Sequence, residues 1–92
     1  MTTYQIEFAS RGIIKELNIL PAEPRSKIQQ TLPLLANFPN LANCQKLMGY
    51  NSLYRLRVGV YRIIFEVFPA KQLIVILLIK HRKDIYRRLQ DM

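Results

Sequence analysis

The segment Gln72–Ile79, QLIVILLI, is apolar at every position from Leu73 onward, and it runs without a break into the charged stretch KHRKDIYRR. Its apolar run is far too short to span a bilayer, which takes about 20 residues. Read as a strand, it is apolar on both faces and needs cover on both sides, so it belongs inside a sheet. Ninety-two residues are enough for one modest core and not for two. A single domain over residues 1–92 is therefore expected, organised around this strand.

The remaining elements follow from periodicity. TTYQIEF alternates, with Tyr4, Ile6 and Phe8 on one side, and reads as a half-buried strand. Ser10 offers an N-cap for a short helix carrying Ile13, Ile14 and Leu17. Pro21 and Pro24 open a second helix, in which Ile28, Leu32 and Leu35 form an apolar stripe at i, i+4, i+7. Pro33 lies within that stripe and predicts a kink or break near Leu32. Asn37–Tyr50 reads as a long connection. Asp84 is placed to cap a short terminal helix whose inner face holds Ile85 and Leu89.

From Leu53 the period changes to two. A two-residue turn at Gly59–Val60, glycine first, pairs Val58 with Tyr61, Arg57 with Arg62, Leu56 with Ile63 and Arg55 with Ile64. One face of this hairpin is then core: Tyr54, Leu56, Val58, Tyr61, Ile63, Phe65 and Val67. The other gathers Arg55, Arg57 and Arg62, with Ile64 and Glu66 beyond. The fold class is α+β: an N-terminal strand, two helices, three antiparallel strands forming one sheet, and a short C-terminal helix, with the helices expected on one sheet face.

Charge is distributed as unevenly as hydrophobicity. The net charge is +8, and ten of the fourteen Lys and Arg side chains lie after residue 45, against three acidic ones there. A one-sided basic field suits a polyanion or an acidic protein partner. The lone cysteine, Cys44, fits a reducing compartment and excludes an internal disulfide. With one Cys and one His, a structural zinc site is not expected, nor is nucleotide chemistry without a glycine-rich phosphate loop. The start MTTYQIEFAS lacks a basic segment followed by an apolar one, so no secretory signal is expected and the cytoplasm is the expected location.

The opposed pair Arg57/Arg62 is the hardest feature to explain by structure alone, because like charges directly across a ladder destabilise it. If the Arg62 strand neighbours QLIVILLI, whose leaving chain carries Lys80, His81, Arg82, Lys83 and Tyr86, then four arginines, one histidine and one tyrosine converge on one sheet face, with only Glu66 and Asp84 nearby as acids. Arginine forks hold phosphate oxygens and stay charged. Histidine exchanges protons near neutrality, and a tyrosine hydroxyl flanked by cations is a second candidate. Together these groups are what metal-free RNA cleavage by the ribose 2′-hydroxyl requires. Tyr54 and Tyr61 read as core, Arg87 and Arg88 as a solvated helix face, and Cys44 as incidental.

KLMGYNSLYRLRVGVYRIIFEV, then a short turn, an apolar strand and KHRKDIYRR, resembles the RelE-type toxins of the RelE/ParE superfamily. The likeness is close over residues 46–88, and the strand–helix–helix start agrees in outline. It implies a RelE-like microbial RNase fold and a toxin of a type II toxin–antitoxin system. Such a toxin is a metal-independent endoribonuclease without cofactors, cutting mRNA in the ribosomal A site and so inhibiting translation. The resemblance further implies that Arg62 and Arg82 stabilise the transition state, that Tyr86 stacks on a base or orients the 2′-hydroxyl, and that His81 is a general base or acid. Arg55 and Arg57 would bind the RNA, with Lys46, Lys80 and Lys83 adding to its basic path. The implied partners are the ribosome, mRNA and an acidic cognate antitoxin in a hetero-oligomer. No membrane is involved.

Three departures qualify the likeness. Arginine replaces the lysine of some members at 55 and 57, which moves base catalysis toward His81 or Tyr86. Lys80 replaces a common glycine, and Val60 a polar turn residue. The alternative within the superfamily is a ParE-like inhibitor of DNA gyrase with no nuclease chemistry. A degenerate relative that only binds nucleic acid or antitoxin is a third reading.

Overall fold

The computed structural model describes residues 3–90 and arranges them as a five-stranded mixed sheet with helices on both faces. In chain order the elements are β1 (Gln5–Phe8), α1 (Arg11–Asn18), α2 (Ala22–Thr31), β2 (Cys44–Lys46), β3 (Leu53–Val58), β4 (Tyr61–Phe68), β5 (Leu73–His81) and α3 (Ile85–Gln90). Short 3₁₀ turns at Leu32–Asn37 and Pro69–Lys71 join α2 to β2 and β4 to β5. The strand order is β1-β5-β4-β3-β2. β1 runs parallel to β5, and every other pairing is antiparallel.

The three expected antiparallel strands are β3, β4 and β5. The expectation needs correction at both edges of the sheet. The N-terminal strand joins in parallel on the far side of β5, and the supposed connection Asn37–Tyr50 contains β2, paired through Cys44↔Leu56, Gln45↔Arg55 and Lys46↔Tyr54. With β1 on one side and β4 on the other, β5 is an interior strand, as its double-sided hydrophobicity requires.

The hairpin has the expected register, from Val58↔Tyr61 through Arg57↔Arg62 to Arg55↔Ile64. Gly59 makes it possible. Its φ of +60° is the left-handed value that the first central position of this turn demands and that a side chain disfavours.

On one face of the sheet, α1 and α2 bury Ile13, Leu17 and Ile28 against Leu56, Ile63, Phe65, Ile74 and Ile76. Ser10 adopts the extended backbone of a cap residue, although its hydroxyl makes no cap bond. Pro33 has the expected effect: α2 stops at Thr31, and the chain tightens into a 3₁₀ turn that still delivers Leu32 and Leu35 to the core. Tyr54 stacks on Phe65 at 5.7 Å, and the Phe38 ring stands edge-on to Tyr54 at 4.8 Å.

The opposite face holds a smaller cluster, in which Ile85 and Leu89 of α3 cover Ile64 beside Leu47, Leu77 and Leu78. The expectation that all the helices lie on one sheet face is therefore corrected, since α3 packs on the face opposite α1 and α2. α3 crosses to the arginine side because β5 presents apolar side chains there too.

Between Ile64 and Phe65 the β4–β5 register slips, from Ile64↔Leu78 to Phe65↔Ile76, leaving Leu77 as an extra residue in β5. This bulge reverses the alternation beyond it. Leu77 and Leu78 both pack on the α3 side, Ile79 returns to the main core, Lys80 aligns with Arg62, and His81 aligns with Tyr61.

Candidate active site

The exposed part of the α3-side face is assembled from four segments. β3 contributes Arg55 and Arg57 at alternate positions, and β4 contributes Arg62 directly across from Arg57. The Arg82 backbone N–H donates to the Val60 carbonyl at 2.7 Å, which ties the chain leaving β5 to the hairpin tip. The first turn of α3 presents Tyr86, 56% exposed, while Ile85 beside it is fully buried. Burying Ile85 and Leu89 one turn apart fixes which way Tyr86 points.

These groups sense one another. Partial burial lowers the Arg62 guanidinium from its ordinary value, the charges of Arg55, Arg57 and Arg82 push it further down, and Tyr86 acts in the opposite sense. Arg62 stays cationic, since guanidinium sits too far above neutrality to lose its proton. Its Nη1 donates to the carbonyls of Gly59 and Tyr61, both at 2.9 Å. Arg55 donates from Nη1 to the Tyr86 hydroxyl at 2.6 Å and from Nη2 to Gln45 Oε1 at 2.7 Å. Arg57 Nη2 donates to Asn43 Oδ1 at 3.0 Å.

No carboxylate neutralises this cluster among the described residues. The ion pairs found there are Lys27–Glu23, Lys80–Glu16 and Arg87–Asp84. Glu66, a possible counter-charge from sequence, instead accepts the Ser52 hydroxyl at 2.9 Å. Asp84 is taken by Arg87 at 3.1 Å. The guanidinium groups of Arg55, Arg57 and Arg62 thus have only uncharged hydrogen-bond partners among the described residues, and that of Arg82 makes no ion pair there.

Arg55 separates two clefts. One, of about 510 Å³, is bounded by Tyr86, Tyr50, Met48, Leu47 and Gln45; the other, of about 290 Å³, by Asn43, Cys44 and Arg57. A polar, positively charged slot adjoining a pocket with two tyrosines suits a phosphate chain with a stacked base beside it. Burial pushes the Cys44 thiol up, which disfavours a nucleophilic thiolate. No group of three or more metal-ligating side chains occurs among the described residues.

The structure gathers Arg55, Arg57, Arg62, Arg82 and Tyr86 as expected. It does not bring His81 among them. The His81 ring meets Tyr61 edge-on at 5.6 Å on the helix-layer side, and its Nδ1 accepts the Lys83 N–H at 3.1 Å. Lys80 aligns with Arg62, but its ammonium is drawn 3.0 Å from Glu16 across the edge of β5 that β1 leaves unpaired. Lys46 stands opposite Tyr54, on the alternate phase to Gln45, and lines the larger cleft but not the smaller one. Lys83 is exposed in the turn before α3. Sequence reading missed Asn43 and Gln45. Nothing in the sequence marked them, since two amides at i, i+2 in a short polar stretch do not set a strand apart from a connection.

Comparison with known proteins points to toxins of toxin–antitoxin systems. The family described as "ParE toxin of type II toxin-antitoxin system, parDE" matches residues 15–86. Toxin RelE3 of Methanocaldococcus jannaschii is 32% identical over 81 residues, covering 84% of this chain and 90% of that protein. Among solved structures, the archaeal RelE–RelB complex from Pyrococcus horikoshii OT3 superposes with a TM-score of 0.74 at 29% identity, covering 87% of this chain and 96% of that one. The RelB–RelE antitoxin–toxin complex from Methanococcus jannaschii gives a TM-score of 0.69 at 31% identity, covering 86% and 93%.

Proposed function

The chain belongs to the RelE/ParE family of toxins from type II toxin–antitoxin systems, and on that premise we propose that it is a ribosome-dependent endonuclease cutting mRNA. The observation that carries the reading is the set of arginines on the open sheet face, beside Tyr86 and without a carboxylate partner among the described residues. Uncompensated like charge costs stability, and an RNA phosphate chain is the polyanion that would relieve it.

In the proposed reaction a ribose 2′-oxygen attacks the adjacent phosphorus as its proton leaves. The P–O2′ bond forms, the P–O5′ bond breaks, and the 5′-oxygen takes up a proton, leaving a 2′,3′-cyclic phosphate and a 5′-hydroxyl. Arg62 and Arg82 stabilise the extra charge on the phosphorane oxygens. Arg55 and Arg57 hold the flanking phosphates, and Lys46, Lys80 and Lys83 contribute a weaker, longer-range field. Tyr86 stacks against a base or orients the 2′-hydroxyl. With His81 turned to the other face, positioning and charge stabilisation carry most of the rate, and the ribosome supplies the RNA geometry.

Relatives solved as toxin–antitoxin complexes support an antitoxin as the second partner. For a domain of net charge +8 it would be acidic, covering the arginine face or displacing α3. Its binding would then weaken as salt is raised. The proposed setting is the cytoplasm, where ribosomes are. No helix among the described residues is long and apolar enough to cross a membrane.

Primer extension on a defined mRNA in a translating extract tests the nuclease directly. Cuts at ribosome-occupied codons are expected with the wild-type chain and not with Arg62→Ala. The family match to ParE keeps one other reading in play, inhibition of DNA gyrase without cleavage. Intact mRNA together with loss of gyrase supercoiling activity would select it.

A further inference from the structure

Three arginines of this site, Arg55, Arg57 and Arg62, are held by uncharged oxygen acceptors. Gln45 lies in register with Arg55 across β2 and β3, and the Arg57 backbone N–H donates to the Asn43 carbonyl at 3.0 Å. Asn43 and Gln45 are therefore two residues apart on the face that carries the arginines. Each side-chain oxygen takes one guanidinium nitrogen, Arg57 Nη2 at 3.0 Å and Arg55 Nη2 at 2.7 Å. Asn43 has a φ of +61°, a left-handed conformation that asparagine tolerates better than most residues. Arg62 follows the same rule, held by two backbone carbonyls.

A carboxylate at 43 or 45 would bind an arginine fork more strongly. It would also offset the positive charge and compete with a phosphate for the same donors. An amide oxygen restricts the long side chain while leaving its charge whole, and the other terminal nitrogen of Arg55 meets only the Tyr86 hydroxyl, which carries no charge to compete with a phosphate. We propose that Asn43 and Gln45 are positioning residues, neutral clamps that hold the Arg57 and Arg55 forks along the path of an RNA backbone. This rests on the nuclease reading and adds a requirement to it: the clamp must be uncharged.

The test uses the full chain with Gln45→Ala, Gln45→Glu and, as an independent pair, Asn43→Ala and Asn43→Asp. Both positions are exposed, and thermal unfolding confirms that each variant folds. Two quantities are measured: cleavage of a defined mRNA in a translating extract, and salt-dependent binding of a single-stranded RNA oligonucleotide. Loss of the clamp in the alanine variants frees the fork without removing charge. Their kcat is expected to fall about ten- to a hundredfold, with the salt slope of RNA binding unchanged.

The acidic variants keep the fork in place and cancel one charge. Their salt slope is expected to fall by about 0.7 per substitution, and cleavage to fall with it. A residue with a merely structural role would lower thermal stability in both pairs and leave the slope alone. Acidic variants with wild-type slope and wild-type cleavage overturn the proposal. If the wild-type chain cuts nothing but the acidic variants still lose slope, the nuclease reading fails while the clamp stands as an RNA-binding device.

Discussion

The two faces of β4 are made by alternate residues of one strand and are stabilised in opposite ways. Ile63, Phe65 and Val67 point into the main core and are almost wholly removed from water. Arg62, one position before Ile63, faces Arg57 across the ladder and Lys80 on the other side. The first face gains free energy from every contact, whereas the second, beyond the part of Ile64 that α3 covers, carries around Arg62 a repulsion that no carboxylate among the described residues relieves. A small domain tolerates such a face only because the other supplies the stability. Substitutions on the covered face should therefore change folding, and those on the open face function.

The largest expected effect is on the covered side. Phe65→Ala removes a fully buried ring that touches Tyr54 and Phe38 and should cost about 3–5 kcal/mol, read from urea unfolding. Against a total of about 5–15 kcal/mol that is a large fraction, so much of the variant should be unfolded at 37 °C. Arg62→Ala, three residues earlier on the same strand, should reverse the pattern. Its unfolding midpoint should stay or rise as repulsion is relieved, while cleavage falls about a hundred- to a thousandfold. If Arg62→Ala unfolds as readily as Phe65→Ala, the contrast between the faces fails.

That contrast was legible in the sequence wherever polar and apolar residues alternate. In LYRLRVGVYRIIFEV the arginines mark the phase and the glycine marks the turn, so register and faces followed from spacing. β2 was not legible, because Cys-Gln-Lys is too short and too polar to show a period. In LIVILLI every residue is apolar, so no polar side chain reveals which face is which, and an extra residue passes unseen. The bulge at Leu77 then shifts the phase of everything after it. Strict alternation carried past that point assigns His81 to the wrong side of the sheet.

The tethered lysine offers a finer comparison. Lys80 and Arg82 carry equal charge beside the same hairpin, but Lys80 is engaged by Glu16 at 3.0 Å. Arg82→Ala should therefore weaken cleavage more than Lys80→Ala, about tenfold or more against a few-fold, in the same translating-extract assay. Releasing the tether with Glu16→Gln should move Lys80 toward the RNA and raise affinity for an oligonucleotide slightly, most clearly at low salt. Equal losses for the two alanine variants would mean that the ion pair does not hold the ammonium away.

The smallest expected effect is the most pointed test of the bulge. His81 is the one histidine of the chain, and imidazole is the side chain most often used for general acid–base catalysis, so a site using it should depend on it for rate. With the ring against Tyr61 on the helix-layer face and Nδ1 accepting from Lys83, the imidazole does not reach the arginine side. His81→Gln should then leave the cleavage rate within about twofold of wild type and the pH–rate profile unchanged in shape between pH 5 and 8. Its cost should fall on stability instead, about 0.5–1.5 kcal/mol for the lost edge-to-face contact. Loss of one limb of the profile in the variant would show that the end of β5 rotates when RNA binds. The covered and open faces would then exchange a residue during the reaction, which the strand register alone does not permit.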